Sequence, residues 1–237
     1  QTWTDLELIL VDDGSTDETA AVIRSIPDPR VRCIHQENRG ASNARNTGIR
    51  AASGAFTAFL DHDDVWFPRF LETCMEWIRS DPQALMVAAN QYWERHPGDR
   101  SDTLYGCTGW NVQKREITFM DLMRRNVIST SACVIRKSVL DQCGGFDEEL
   151  RVAEDYHLWL KIAKTGRILS VPDPMGAARR YVSGSLVKDK LQMARDGLLC
   201  LDKFLQTHGS LLTREERRAF NRMRRNTWFG LAWRTLR

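Results

Sequence analysis

The sequence predicts an α/β fold: a mostly parallel central sheet flanked by helices, followed by a helical C-terminal extension. Three observations carry this expectation. Short apolar, β-branched runs alternate with helical patterns through the first 60 residues, the signature of parallel βαβ units. Each run stops at a cluster of turn residues, so each strand has a sharp end. Outside this region, residues 187–208 and 213–230 carry helical periodicity and no strand pattern.

Taken in order, "LELILV" (6–11) is a buried strand that stops at "DDGSTD". "STDETAAVIRSI" (15–26) reads as a helix, with Ser15 or Thr16 to cap it, acidic residues in its first turn and Pro27 to stop it. "VRCIHQ" (31–36) is a second strand, "ASNARNTGIRAAS" (41–53) a second helix ended by Gly54, and "AFTAFLD" (55–61) a third strand. Pro68 opens a helix to about Arg79, with Phe70, Leu71, Met75 and Ile78 on one face. "ALMVAANQYW" (84–93) is another strand, and the polar residues 94–117 read as an irregular mobile loop over one face. "SACVIRKSVL" (131–140) is a strand entering a turn, and 144–166 ends in a helix stopped by Gly166.

Composition bounds the rest. A chain of 237 residues, 42% hydrophobic and 27% charged, fits one large domain or a domain with an appendage, with ample core. The net charge of +3 hides an asymmetry, because residues 214–237 hold eight Arg against two Glu and leave the body net negative. Nucleic acid is therefore excluded as a partner of the body by charge. The six cysteines form no CxxC pair and no His/Cys ligand spacing, and read as packing thiols of a reducing compartment. No apolar run approaches the ~20 residues of a membrane-spanning helix. A Gln start directly before a strand, with no Met, reads as an excised piece.

Ligands of open parallel sheets bind at the carboxyl ends of the strands. Asp12 and Asp13 follow the first strand, while Asp61, His62, Asp63 and Asp64 of "FLDHDDVW" follow the third. Two like charges ~4 Å apart repel by about 4 kcal/mol at an effective dielectric of 20, so the cluster needs an offset. A divalent cation is one offset and a solvated turn is the bland alternative. If both strands are parallel, the two clusters border one crevice, which favours a ligand site. No GxGxxG or GxxxxGK[ST] follows a strand, so dinucleotide and P-loop readings lack support.

Three stretches, "ELILVDDGSTDET", "NRGASNARNTGIRAASGAFTAFLDHDDVWFP" and "GGFDEELRVAEDYHLWLKIAKTG", resemble in order and spacing the family-2 glycosyltransferases of the GT-A fold. The resemblance covers roughly residues 1–186, which makes 1–186 a GT-A-like domain and 187–237 its helical extension. It implies an inverting transferase that moves a single sugar from a nucleotide sugar, a UDP-sugar first, to a hydroxyl on a glycan or lipid-linked acceptor. It also implies Mg²⁺ or Mn²⁺; the scattered thiols point to a cytoplasmic protein, and contact with the inner face of the membrane is one alternative for residues 214–237.

By the same resemblance Asp13 binds the nucleobase, Asp63 the metal, Asp61 the ribose or the metal shell, and Asp155 is the general base. Inverting transfer needs one group to take the acceptor's proton, and a carboxylate in the first helical turn is expected to stay ionised. Asp12 is expected to bond turn amides and Glu154 to serve the cap. Arg45 either reaches a phosphate or is an exposed helix arginine. Trp66, Trp159 and Tyr156 either floor a sugar site or pack in the core. The Arg-rich segment 214–237, with Trp228, Phe229 and Trp233, either docks on anionic membrane or packs on the domain with its Arg face in water.

The match departs from the family in two places. The family's first strand, its Pro-Thr-Tyr-Asn-like turn and most of the helix after it are not in this sequence, so the sheet is expected to lack an inner strand. Val182 stands where many relatives carry a metal-shell His. There is also no Gln-x-x-Arg-Trp motif of processive synthases. The rival reading is a non-catalytic relic that binds a nucleotide or metal.

Overall fold

The computed structural model describes residues 1–94, 96, 98–179 and 190–235, with 179, 190 and 229–235 described by backbone alone. Strand β1 (Leu8–Asp13) pairs in parallel with β2 (Val31–Gln36), which sets Asp12 opposite His35 and Asp13 opposite Gln36. Helix α1 (Thr19–Arg24) crosses between them and is shorter than the 15–26 its sequence suggests. The reason is competition from turns: the Ser15 amide donates to Asp12 and the Thr19 amide to Asp17, so neither Ser15 nor Thr16 caps the helix. Helix α2 (Ala41–Ala51) follows as expected.

A second sheet has the order β3 (Phe56–Ala58), β7 (Cys133–Arg136), β5 (Ala84–Glu94), β8 (Arg167–Arg179) and β4 (Val65–Trp66), with β6 (Glu116–Ile117) also on β8. The α/β class holds, but the expectation of a mostly parallel sheet is corrected. Among the described residues only β1–β2 and β5–β8 are parallel, and the other four pairings are antiparallel. The cause is local: β7 returns between β3 and β5, while the two-residue strands β4 and β6 fold back on the long β8. Glu7 accepts from the amides of Ser53 and Gly54, tying the residues just before β1 to those just before β3. Yet β1 and β3 do not pair, and each keeps an edge without a strand partner among the described residues.

The core lies on both faces of β5. Met86 and Ala88 join one apolar cluster and Val87 and Ala89 the other, the period-two alternation of a strand buried on both sides. Helix α3 (Phe70–Ser80) covers the second face with Phe70, Cys74, Met75 and Ile78. The first face is covered by α5 (Phe119–Leu122), α6 (Lys137–Cys143), α7 (Glu154–Thr165), α8 (Lys190–His208) and α9 (Arg214–Thr235). Helices α8 and α9 contribute Cys200, Leu201, Phe204 and Phe220 to the same cluster as α7. Phe204 stacks on both Phe119 and Phe220 with ring centroids 5.6 Å apart.

Of the polar stretch 94–117, residues 98–117 are not the loose loop their polarity suggests. Helix α4 (Leu104–Thr108) and β6 lie within them, and the buried Tyr105 donates its hydroxyl to Ala88 O at 3.1 Å. Among the described residues no helix is long and apolar enough to cross a membrane. Val182, the domain boundary near 186, Phe229 and Trp233 lie outside the described residues or side chains.

Candidate active site

Helix α2 gathers the acidic segments. At its start Asp13 accepts hydrogen bonds from Gln36 Nε2 (2.7 Å) and the Arg39 amide (3.0 Å) on Oδ1, and from the Gly40 amide (2.8 Å) on Oδ2. With two lone pairs per oxygen, Oδ2 keeps one free for an imide N–H. The turn needs Gly14: its φ is +78°, and a Cβ there would meet the Asn38 amide nitrogen at 2.8 Å. Asp12 points the other way. Ser15, by hydroxyl and amide, and then His35 hold its carboxyl down at about 2, so it is the turn residue the sequence suggests.

Five residues along α2, roughly 7.5 Å of helical rise, Arg45 joins two further segments. Its guanidinium lies 2.7 Å from Asp61 Oδ1 and 2.8 Å from Glu154 Oε1, and its side chain is only 14% exposed. The exposed-arginine alternative is therefore corrected. Both terminal nitrogens already hold carboxylates, so a phosphate would have to share the guanidinium's five N–H donors with them. Burial works against the charge, but Asp61 and then Glu154 more than offset it and keep Arg45 charged. Asn43 and Asn46 add bonds to Glu148, and Asn46 also bonds Phe146 O at 2.8 Å. Gly145 (φ +68°) makes this approach feasible, since a Cβ would stand 2.5 Å from Asn46 Oδ1.

The acidic turn after β3 is closed by the Asp64 amide on Asp61 O and pinned by the Asp61 amide on Ser131 Oγ, both at 3.0 Å. Asp63, half-buried, has no hydrogen-bond or ion-pair partner among the described residues, whereas Asp61 is held by Arg45. No three His, Cys, Asp or Glu side chains among the described residues gather closely enough to form a protein-only cation site. One free and one half-engaged carboxylate still suit a magnesium-like ion, which is commonly held by one or two carboxylates together with substrate phosphates.

Asp155 opens α7 beside Glu154. Its Oδ1 accepts the Tyr156 amide at 2.5 Å, and Asn126 Nδ2 lies 3.5 Å from Oδ2, a long and weak contact. Burial first, and the Glu154 charge second, push its carboxyl up to about 7, against the pull of the Tyr156 amide and Arg45. Asp61, joined to Glu154 through Arg45, pushes in the same upward direction. The expectation that the helix start keeps Asp155 ionised is thus corrected. The side chain retains partial contact with solvent, yet desolvation outweighs the dipole.

Two features of this segment escaped the sequence reading. Ala153, just before the acidic pair, sits in the left-handed region with φ 67°, the one such non-glycine among the described residues. Asp196 of α8, buried, accepts the amides of Arg151 and Val152 at 3.1 and 3.0 Å and so fixes the backbone leading to Asp155. The helical extension therefore supports the site.

The aromatic residues pack. Trp66 stacks on Phe70 at 4.6 Å and donates Nε1 to Ser131 O; Trp159 is fully buried; Tyr156 donates its hydroxyl to Leu122 O at 2.8 Å.

Residues 1–144 match the family described as Glycosyl transferase family 2. This chain belongs to that family. The glucosyltransferase WfgD of Escherichia coli, named UDP-Glc:alpha-D-GlcNAc-diphosphoundecaprenol beta-1,3-glucosyltransferase, is 29% identical over 172 residues, 72% of this chain and 63% of that one. The chain spans less than two thirds of this relative and smaller shares of others. Staphylococcus aureus TarS 1–349, solved with UDP-GlcNAc, superposes with a TM-score of 0.71 at 18% identity, over 92% of this chain and 62% of that one. A Pyrobaculum calidifontis mannosyltransferase, solved with GDP-Man and Mn²⁺, gives 0.67 at 21% identity over 96% and 63%. At these identities the likeness shows the fold, and the family-2 chain has the GT-A architecture.

Proposed function

We propose that this family-2 domain transfers a single sugar from a nucleotide sugar, a UDP-sugar, to an acceptor hydroxyl with inversion at the anomeric carbon. The observation that carries the reading is the ion-paired cluster on α2. Arg45 ties Asp61 to the Glu154–Asp155 helix start, and Asp13 holds the amides at the start of α2. In this reading Asp13 Oδ2 accepts from the nucleobase and Asp155 takes the acceptor's proton. Asp63 and the free oxygen of Asp61 would hold a divalent cation with the donor's diphosphate. Such a cation, Mg²⁺ or Mn²⁺, supplies charge neutralisation for the departing nucleoside diphosphate. The names of WfgD and TarS support a UDP-sugar donor, and WfgD's supports an acceptor carried on a lipid diphosphate. Such an acceptor favours peripheral contact of the cytoplasmic protein with the membrane that holds it.

Calorimetric titration of UDP, GDP and TDP, each with and without Mn²⁺, tests the reading. UDP should bind most tightly, Mn²⁺ should tighten it at least tenfold, and Asp63→Ala should abolish that gain. Absence of binding by all three nucleotides overturns the proposal, and a metal gain unchanged in Asp63→Ala overturns the ligand assignment.

A further inference from the structure

A cavity of about 1010 Å³ opens between α5, α8 and α9, apart from the α2 cluster. Its wall is apolar and adaptable, with Met123 after α5, Met193 from α8 and Met223 from α9. Its rim is basic: Arg124, Arg218 and Arg222 line it against one acid, Glu215. Arg124 lies 3.6 Å from Asp121, while the exposed Arg218 and Arg222 have no ion-pair partner among the described residues. The cavity adjoins the proposed base. Tyr156, next to Asp155, contacts Met223 Sδ at 3.3 Å, and Asn126, whose amide faces Asp155, follows Met123 and Arg124 closely in the chain.

We propose that this cavity seats the lipid diphosphate of the acceptor, with the methionine wall on the chain and Arg218 and Arg222 on the phosphate oxygens. The charge pattern selects this occupant. A purely apolar partner leaves two unpaired arginines with nothing to bind, and a free diphosphate leaves the methionine wall without a role. A sugar attached to a diphosphate held here would lie against the wall that Met223 shares with Tyr156, the chain neighbour of Asp155. That the bound lipid is the acceptor rests on the transferase reading above; that the cavity binds it does not.

The test is calorimetric titration of the full chain with farnesyl diphosphate, farnesol and inorganic diphosphate, each repeated with saturating UDP and Mn²⁺. Farnesyl diphosphate should bind at least tenfold more tightly than either fragment, and UDP should leave that binding intact. Arg218→Glu with Arg222→Glu should weaken it at least tenfold with UDP affinity unchanged. Met193→Trp, which narrows the wall without altering charge, should weaken farnesyl diphosphate but not inorganic diphosphate. Displacement by UDP, indifference to both variants, or adhesion to phosphatidylglycerol vesicles without saturable farnesyl diphosphate binding each overturns the cavity assignment. If no nucleotide binds while farnesyl diphosphate does so and responds to the variants, the cavity stands and the transferase reading falls.

Discussion

Asp155 carries the sharpest consequence at the scale of one residue. A base must be ionised to accept a proton, and burial has moved this carboxyl up to about 7. Turnover should therefore rise with pH through an inflection near 7, whereas a solvated aspartate would place it near 4. The stability sign is opposite to that of a salt-bridged acid. The folded protein holds this proton more tightly than the unfolded chain, so the stabilisation is complete below about pH 4 and is lost progressively as pH rises from there through about 7. Asp155→Asn should lose about 10²–10⁴-fold in transfer, match the wild type in melting temperature at about pH 3 and exceed it at about pH 8. Paired rate–pH profiles and calorimetric scans check both halves; an inflection near 4 removes the raised carboxyl, and undiminished transfer by Asp155→Asn removes Asp155 as the base. Arg45 shows what a single residue hides from sequence reading. Its position on α2 is legible, but its partners stand 16 and 109 residues away, so only tertiary packing distinguishes a buried ion-pair hub from a phosphate ligand or a surface arginine.

Among elements, the readable ones owe their form to local chemistry. Helices α3 and α7 carry the apolar periodicity that sets them, α2 stands between the Gly-containing turns at 40 and 54, and β1, β2 and β5 are strand-forming runs between turn clusters. The misses have non-local causes. Strand β8 contains Pro172 and Pro174, which argue against a strand, and it survives because the ladder with β5 shifts register there. Asn90 of β5 donates to Pro172 O at 3.0 Å across the irregularity. The acidic motifs around the site were legible; their support from α8 was not, because a lone Asp in a helix carries no signal of its role. Asp196→Ala should leave the Arg151 and Val152 amides unpaired, at about 1–3 kcal/mol, and let the start of α7 drift. The expected result is a tenfold or larger fall in turnover with unchanged UDP affinity, largely recovered in Asp196→Asn, which keeps an acceptor oxygen. Equal losses of turnover and nucleotide affinity would make Asp196 a general stability residue instead.

At the scale of the whole molecule, the C-terminal helices pose a choice between an appendage and a part of the domain. Charge argues for an appendage, since the basic 214–237 contrasts with an acidic body. Packing argues the reverse. Phe220 is fully buried against Phe204, which itself stacks on Phe119 beneath α7, so one aromatic column runs from α9 into the core of the sheet. Lys164 of α7 also pairs with Glu216 of α9 at 2.8 Å, both side chains nearly covered. If the column is continuous, urea unfolding followed by tryptophan fluorescence and by circular dichroism should give one coincident transition. Phe220→Ala should then lower the stability of the entire domain by about 3–5 kcal/mol and shift both signals together, while the exposed Asn221→Ala stays within about 0.5 kcal/mol. A separate early helical transition, with the tryptophan signal unmoved by Phe220→Ala, would show that the extension folds apart from the sheet. In that case the hold of α8 on the Asp155 segment could not be maintained by the body alone.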